Sequence, residues 1–112
     1  MLKIVRVDFP LLDKPGKAKN RPAVCLTGPT GRYRQVIVAP ITSKLGELAA
    51  TDVTLDQGQS TFEATGLSKT SVIQLHKLVS IGEKRLQGQV GTLSANWEKE
   101  VKGKLKLLFA LS

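Results

Sequence analysis

Acidic residues and aromatics are both scarce in this chain of 112 residues: nine Asp and Glu in all, and three Phe, one Tyr and one Trp. There is one cysteine and one histidine. A lone Cys25 excludes an internal disulfide, which suits a reducing, cytoplasmic setting. So few Cys and His leave no cluster with metal-ligand spacing, and no metal or other cofactor is expected. No stretch approaches the ~20 apolar residues of a membrane span, so no membrane partner is expected. Met1-Leu2-Lys3-Ile4-Val5-Arg6 lacks the apolar core of a secretion signal. Phe9, Tyr33, Phe62, Trp97 and Phe109 are scattered, which argues against a base-stacking platform.

The commoner enzyme signatures are missing too. There is no P-loop, no dinucleotide-binding glycine pattern and no zinc-protease H-E-x-x-H. Ser68, Ser71 and Ser80 lack the G-x-S-x-G setting of a nucleophile elbow. Cys25 lies within an apolar strand, where a thiol packs as a small hydrophobe.

What the chain does have is positive charge. Seventeen Lys and Arg leave a net charge of +8. On so small a surface that excess favours polyanions: RNA, DNA or an acidic protein. The apolar fraction of 41% is enough for one buried core, and 112 residues make a single domain over 1–112.

Along the chain, residues 2–9 alternate as a half-buried strand, with Ile4, Arg6 and Asp8 on one side and Val5, Val7 and Phe9 on the other, ended by Pro10. Residues 13–20 read as an exposed loop. Pro22–Leu26 is a short buried strand entered from Arg21, Gly28–Gly31 is a turn, and Tyr33–Ala39 is a strand closed by Pro40. Residues 43–50 have weak helical character. Asp52–Leu55 is a further strand, 71–81 one long strand or a bent pair, and 82–86 a short helical turn. Ser94 is an N-cap candidate. Beyond it, Trp97, Val101, Leu105, Leu108 and Phe109 fall on one helical face, with Lys99, Lys102, Lys104 and Lys106 largely on the other. The expected fold is mostly β with a C-terminal α-helix: a small, barrel-like, mostly antiparallel sheet with one closing helix.

Two segments bear on chemistry. In the first, the basic loop Lys17-Ala18-Lys19-Asn20 feeds into Arg21 at a strand entrance, where a guanidinium can grip two phosphate oxygens. In the second, Thr42, Ser43 and Lys44 follow a buried strand at once. If those strand ends are neighbours, Arg21, Thr42, Ser43 and Lys44 converge on one anion-sized spot. Read blandly, Arg21 is a surface arginine and Thr42 or Ser43 a helix cap.

Ile4-Val5-Arg6-Val7-Asp8-Phe9-Pro10, Arg21-Pro22-Ala23-Val24 and Val36-Ile37-Val38-Ala39-Pro40-Ile41-Thr42-Ser43-Lys44 resemble the MazF/PemK toxins of bacterial toxin–antitoxin pairs. Ser71-Val72-Ile73, Lys84-Arg85-Leu86 and Val90-Gly91-Thr92-Leu93-Ser94 follow in the same order. The resemblance implies an SH3-like barrel, a homodimer, metal-independent cleavage of single-stranded RNA, and inhibition by an acidic antitoxin. It also implies catalytic roles for Arg21 and Thr42. Lys17, Lys19, Asn20, Ser43, Lys44, His76 and Lys77 are the expected RNA-binding residues. The chain departs from the family pattern at Leu2-Lys3, at His76-Lys77 and in the loop before Arg21, which lacks an acid. The proton acceptor is therefore unassigned. His76, the one histidine, is a candidate for RNA contact or acid–base work, with a structural or merely exposed residue as the favoured reading. The alternatives are a gyrase-binding toxin of the CcdB type and a non-catalytic RNA-binding barrel.

Overall fold

The computed structural model describes residues 1–10 and 16–110. Its strands are β1 (Lys3–Pro10), β2 (Ala18–Cys25), β3 (Gln35–Thr42), β4 (Asp52–Leu55), β5 (Ser71–Gln74), β6 (Val79–Gly82) and β7 (Leu86–Thr92), followed by helix α1 (Ala95–Leu108). The sheet runs in the order β4-β5-β3-β2-β1-β7, with β6 beside β3, and every pairing is antiparallel. This is the mostly β fold with a C-terminal helix expected from the sequence. It is barrel-like only loosely, because the sheet does not close.

Two apolar layers hold it together. Ile4, Val24, Ala39 and Ile41 on one face pack against Val53, Leu55, Ile73, Leu75, Leu93, Trp97 and Val101. On the other face Val5, Val7, Ala23, Val36 and Val38 pack with Ile81 of β6, so the sheet curls over its own inner side. Each fully buried Val, Leu or Ile contributes about 1.5–3 kcal/mol. This double burial departs from the half-buried strand expected at residues 2–9: Ile4, Val5 and Val7 are all buried, and only Arg6 between them is exposed.

Other differences have local causes. β2 starts at Ala18, so Lys19 and Asn20 are strand residues opposite Phe9 and Asp8. Residues 13–15 of the expected loop lie outside the described residues. β3 runs through Pro40 to Thr42. On the side away from β2, its pairing with β6 ends at Val38 and its pairing with β5 begins at Ile41. Pro40 falls in that gap, where no ladder needs the N–H it lacks. Residues 43–50 form no helix, since Leu45 and Leu48 are exposed and find no core to cover them. Segment 71–81 is the bent pair, with a 3-10 turn, Leu75–Lys77, between β5 and β6. β7 was not expected as a strand: Gly88 and Gly91 dilute its alternation, and its pairing with β1 slips twice.

The helix forms as its sequence directs. Ser94 Oγ accepts a hydrogen bond from the Trp97 N–H at 3.3 Å. Trp97 and Val101 are buried, and Leu105 and Leu108 pack at the margin of the core. Phe109 departs from the expected face: it follows the last helical turn and is 57% exposed. No helix among the described residues is long and apolar enough to cross a membrane.

Candidate active site

The site begins where β2 and β3 part company. Their ladder pairs Cys25 with Val38, Val24 with Ala39 and Ala23 with Pro40, then stops. Carrying that register two places further sets Arg21 opposite Thr42. β3 has by then turned to β5, pairing Ile41 with Ile73 and Thr42 with Val72. The separation opens a groove of about 580 Å³ whose lining includes both Arg21 and Thr42.

Charge in the groove is of one sign. Arg6, Lys19, Arg21, Lys44, Lys69 and Lys77 line it, and none of the described acidic residues does. The described acids are engaged or placed elsewhere: Glu83 pairs with Arg34, Glu98 with the N-terminal ammonium, and Asp8 accepts from Asn20. Arg21 is half-buried and forms no ion pair among the described residues. Thr42 Oγ1 accepts a hydrogen bond from the Lys44 N–H at 3.1 Å. With one lone pair so used, the hydroxyl still has its own proton to donate.

Another wall of the groove comes from the segment Gly66–Ser71, of which all but Thr70 belong to the lining. Thr65, fully buried, anchors it by donating to the Phe62 carbonyl at 2.6 Å and accepting from the Leu67 N–H at 3.2 Å. Gly91 of β7 lets the chain at Ala64–Thr65 come so close that a Cβ there would stand 2.3 Å from the Ala64 carbonyl oxygen. Farther along, Gln57 and Thr70 exchange two side chain–backbone hydrogen bonds of 3.0 and 3.1 Å. The wall is therefore set by packing between elements distant in sequence.

Of the residues singled out from sequence, Lys19, Arg21, Thr42, Ser43, Lys44 and Lys77 share the groove. Lys17, Asn20 and His76 lie outside its lining. The Asn20 amide is spent on Asp8 and Gln87, at 3.1 and 2.7 Å. His76 Nδ1 stands 3.4 Å from Asp52 Oδ1, an otherwise unpartnered buried atom, and so joins the 3-10 turn to β4. Arg6, Ser68, Lys69, Ser71 and Gln74 also line the groove and were not anticipated. Only Arg6 had a visible signal, a charge set between the apolar residues Val5 and Val7; the rest are delivered by the Gly66–Ser71 wall and by β5.

A family model described as "PemK-like, MazF-like toxin of type II toxin-antitoxin system" matches residues 2–109. The chain belongs to this toxin family. No curated protein sequence matches this MazF/PemK-family toxin significantly. Among solved structures it is similar to the Mycobacterium tuberculosis toxin MazF-mt6, with 28% identity, a TM-score of 0.72 and 98% of each chain covered. A MazE–MazF structure from Deinococcus radiodurans matches at 24% identity and a TM-score of 0.72, over 98% of this chain and 94% of that one. A mycobacterial endoribonuclease in complex with its cognate antitoxin matches at 12% identity and a TM-score of 0.68, over 98% and 93%. These last two likenesses bear on the fold of the MazF/PemK-family toxin alone.

Proposed function

We propose that this toxin is a metal-independent endoribonuclease that cuts single-stranded RNA, with Arg21 and Thr42 as its catalytic pair. The observation that supports the reading is that Arg21 and Thr42, on strands that separate beyond Ala23 and Pro40, line one groove together with five further cations. RNA supplies its own nucleophile. The 2′-hydroxyl loses its proton to solvent in the open groove, its oxygen attacks the adjacent phosphorus, and the P–O5′ bond breaks. The products are a 2′,3′-cyclic phosphate and a 5′-hydroxyl end. The protein's part is to orient the ribose–phosphate junction and to neutralise charge that accumulates in the transition state. Arg21 faces two phosphate oxygens and directs an N–H at the departing 5′-oxygen, stabilising its charge until it takes a proton from solvent. Thr42 donates to a non-bridging oxygen. Lys19, Ser43, Lys44 and Lys77 hold the flanking backbone, and Arg6 and Lys69 extend the same cationic track. Lys17, Asn20 and His76 stand outside the groove lining and take no part in this mechanism.

The test is direct. Purified protein in EDTA should cleave single-stranded RNA to 5′-hydroxyl ends, and Arg21→Ala should slow the single-turnover rate by about 10²–10³-fold, the usual cost of a lost oxyanion donor. Full activity of Arg21→Ala would remove Arg21 from the chemistry. Intact RNA alongside DNA damage on expression would favour the gyrase-binding reading instead.

Two partners belong to the same proposal. An acidic antitoxin fits the cationic groove, since carboxylates compete for sites that hold phosphates. A homodimer would cover exposed strand edges: among the described residues β4 pairs only with β5, β6 only with β3 and β7 only with β1. Sedimentation showing only monomer at micromolar concentration would refute the dimer.

A further inference from the structure

We propose that Gln74 is the base-reading residue of this groove, hydrogen-bonding the edge of a nucleobase next to the cleaved phosphate; this rests on the nuclease reading above. Nearly everything else in the lining is sequence-blind. The six cations hold phosphates, and phosphate contacts position a strand without reading it. Among the described residues no aromatic lines the groove, so stacking is not what sorts bases there. The hydroxyls are partly spent: Ser71 Oγ donates to the Lys69 carbonyl at 2.8 Å, and Thr42 Oγ1 accepts from Lys44.

Gln74 differs from all of these. Among the described residues it is the one amide in the lining, and a planar amide offers a donor and an acceptor side by side, matching the paired donor and acceptor of a base edge. It is half-buried, and among the described residues its side chain makes no hydrogen bond. A bound base would supply the missing partners; a base of the wrong pattern would leave them unmet in a partly desolvated site, which is how polar groups discriminate.

Its placement links it to the chemistry. Thr42 pairs with Val72, and Gln74 lies two residues beyond Val72 on the same face of β5. In an antiparallel pair such diagonal neighbours stand about 7–8 Å apart. That span is bridged by one nucleotide whose phosphate rests on Arg21 and Thr42. Gln74 is also firmly mounted: its backbone pairs with Asp52 in the β4–β5 ladder, and the 3-10 turn begins at the next residue.

The experiment is cleavage of a randomised single-stranded RNA library in EDTA, with the 5′-hydroxyl ends sequenced, for wild type, Gln74→Leu, Gln74→Asn and Gln74→Glu. Wild type should show a base preference beside the cut. In Gln74→Leu that preference should fall about tenfold at one position while preferences elsewhere persist. Gln74→Glu, which offers acceptors only, should change the preferred base at that same position. Gln74→Asn keeps the amide but shortens its reach and should weaken the same preference, so it decides the matter should the leucine variant fail to fold. Wild-type profiles in every folded variant, or a fall in rate that is uniform over all sequences, would overturn the assignment of Gln74 alone. A wild-type protein that cuts no RNA would overturn the nuclease reading, and Gln74 with it.

Discussion

At the scale of single residues, the candidate chemistry divides between charge and orientation. A lysine at position 21 keeps the charge but loses the planar fork that spans two phosphate oxygens, so Arg21→Lys should recover little of the activity lost in Arg21→Ala. Thr42 contributes a hydroxyl whose lone pair is tied to the Lys44 N–H. Thr42→Ser should stay within a few-fold of wild type, whereas Thr42→Val, of similar shape but without the hydroxyl, should slow single-turnover cleavage by about 10²-fold. Cys25 offers a check unrelated to RNA. Burial pushes its thiol pKa up, against smaller opposing effects from its hydrogen bond to Thr27 and from Lys3. The thiolate fraction at pH 8 is thus below that of an ordinary cysteine, and iodoacetamide should label native protein more slowly than unfolded protein. The native rate should keep climbing as pH rises past the range where a free thiol levels off. Equal rates in native and unfolded protein, read by mass spectrometry, would contradict this.

At the scale of elements, the groove wall depends on a contact remote from it in sequence. Gly91 has ordinary backbone dihedrals but no room: its missing Cβ would meet Ala64 O at 2.3 Å and Thr65 O at 2.4 Å. Backbone cannot rotate aside as a side chain can. Gly91→Ala should therefore cost about 3 kcal/mol, the upper part of the overpacking range, and lower the melting temperature by roughly 10 °C. It should also weaken RNA binding, because the Gly66–Ser71 wall moves with Ala64 and Thr65. Ser94→Ala gives the comparison. It removes one N-cap acceptor from the helix, costs about 1 kcal/mol, and should leave RNA binding per folded molecule unchanged. Loss of binding in the Ser94 variant matching that in the Gly91 variant would show that global stability, not the wall, governs the groove. The strand path through Pro40 belongs to this scale as well. A proline stops a strand where a ladder needs its N–H, and β3 passes it because the neighbour on one side changes there from β6 to β5.

For the whole molecule, the decisive quantity is where the net charge of +8 is placed. Six of the cations share one groove and the described acids lie elsewhere. If all six hold phosphates, log K for single-stranded RNA should fall with log salt at a slope of about −4, from about −0.7 per contact. Lys69→Gln should reduce that slope by about 0.7. Fluorescence anisotropy across a sodium chloride series measures both. A slope near −1 would mean that the cations do not share the strand, and would undercut the groove as its track.

The sequence by itself determined the local elements and the overall class. Alternation fixed β1 and β4, Ser94 and the spacing of Trp97 and Val101 fixed the helix, and ordered motifs singled out Arg21 and Thr42 before any geometry was known. These signals are short-range: a side chain's neighbours two, three or four residues away settle which face it takes. Only the tertiary structure decided which strand ends meet. β7 escaped detection because Gly88 and Gly91 dilute its alternation, Gly91 to make room for the Ala64–Thr65 backbone, Phe109 lost its place on the helical face because the helix ends before it, and residues 43–50 stayed unwound for want of a core. Arg6 reaches the groove from β1, and Lys69 and Gln74 from the stretch that leads into β5 and along it, far from β1 in sequence. Such a meeting depends on the path of the backbone through space, which no local pattern of residues encodes.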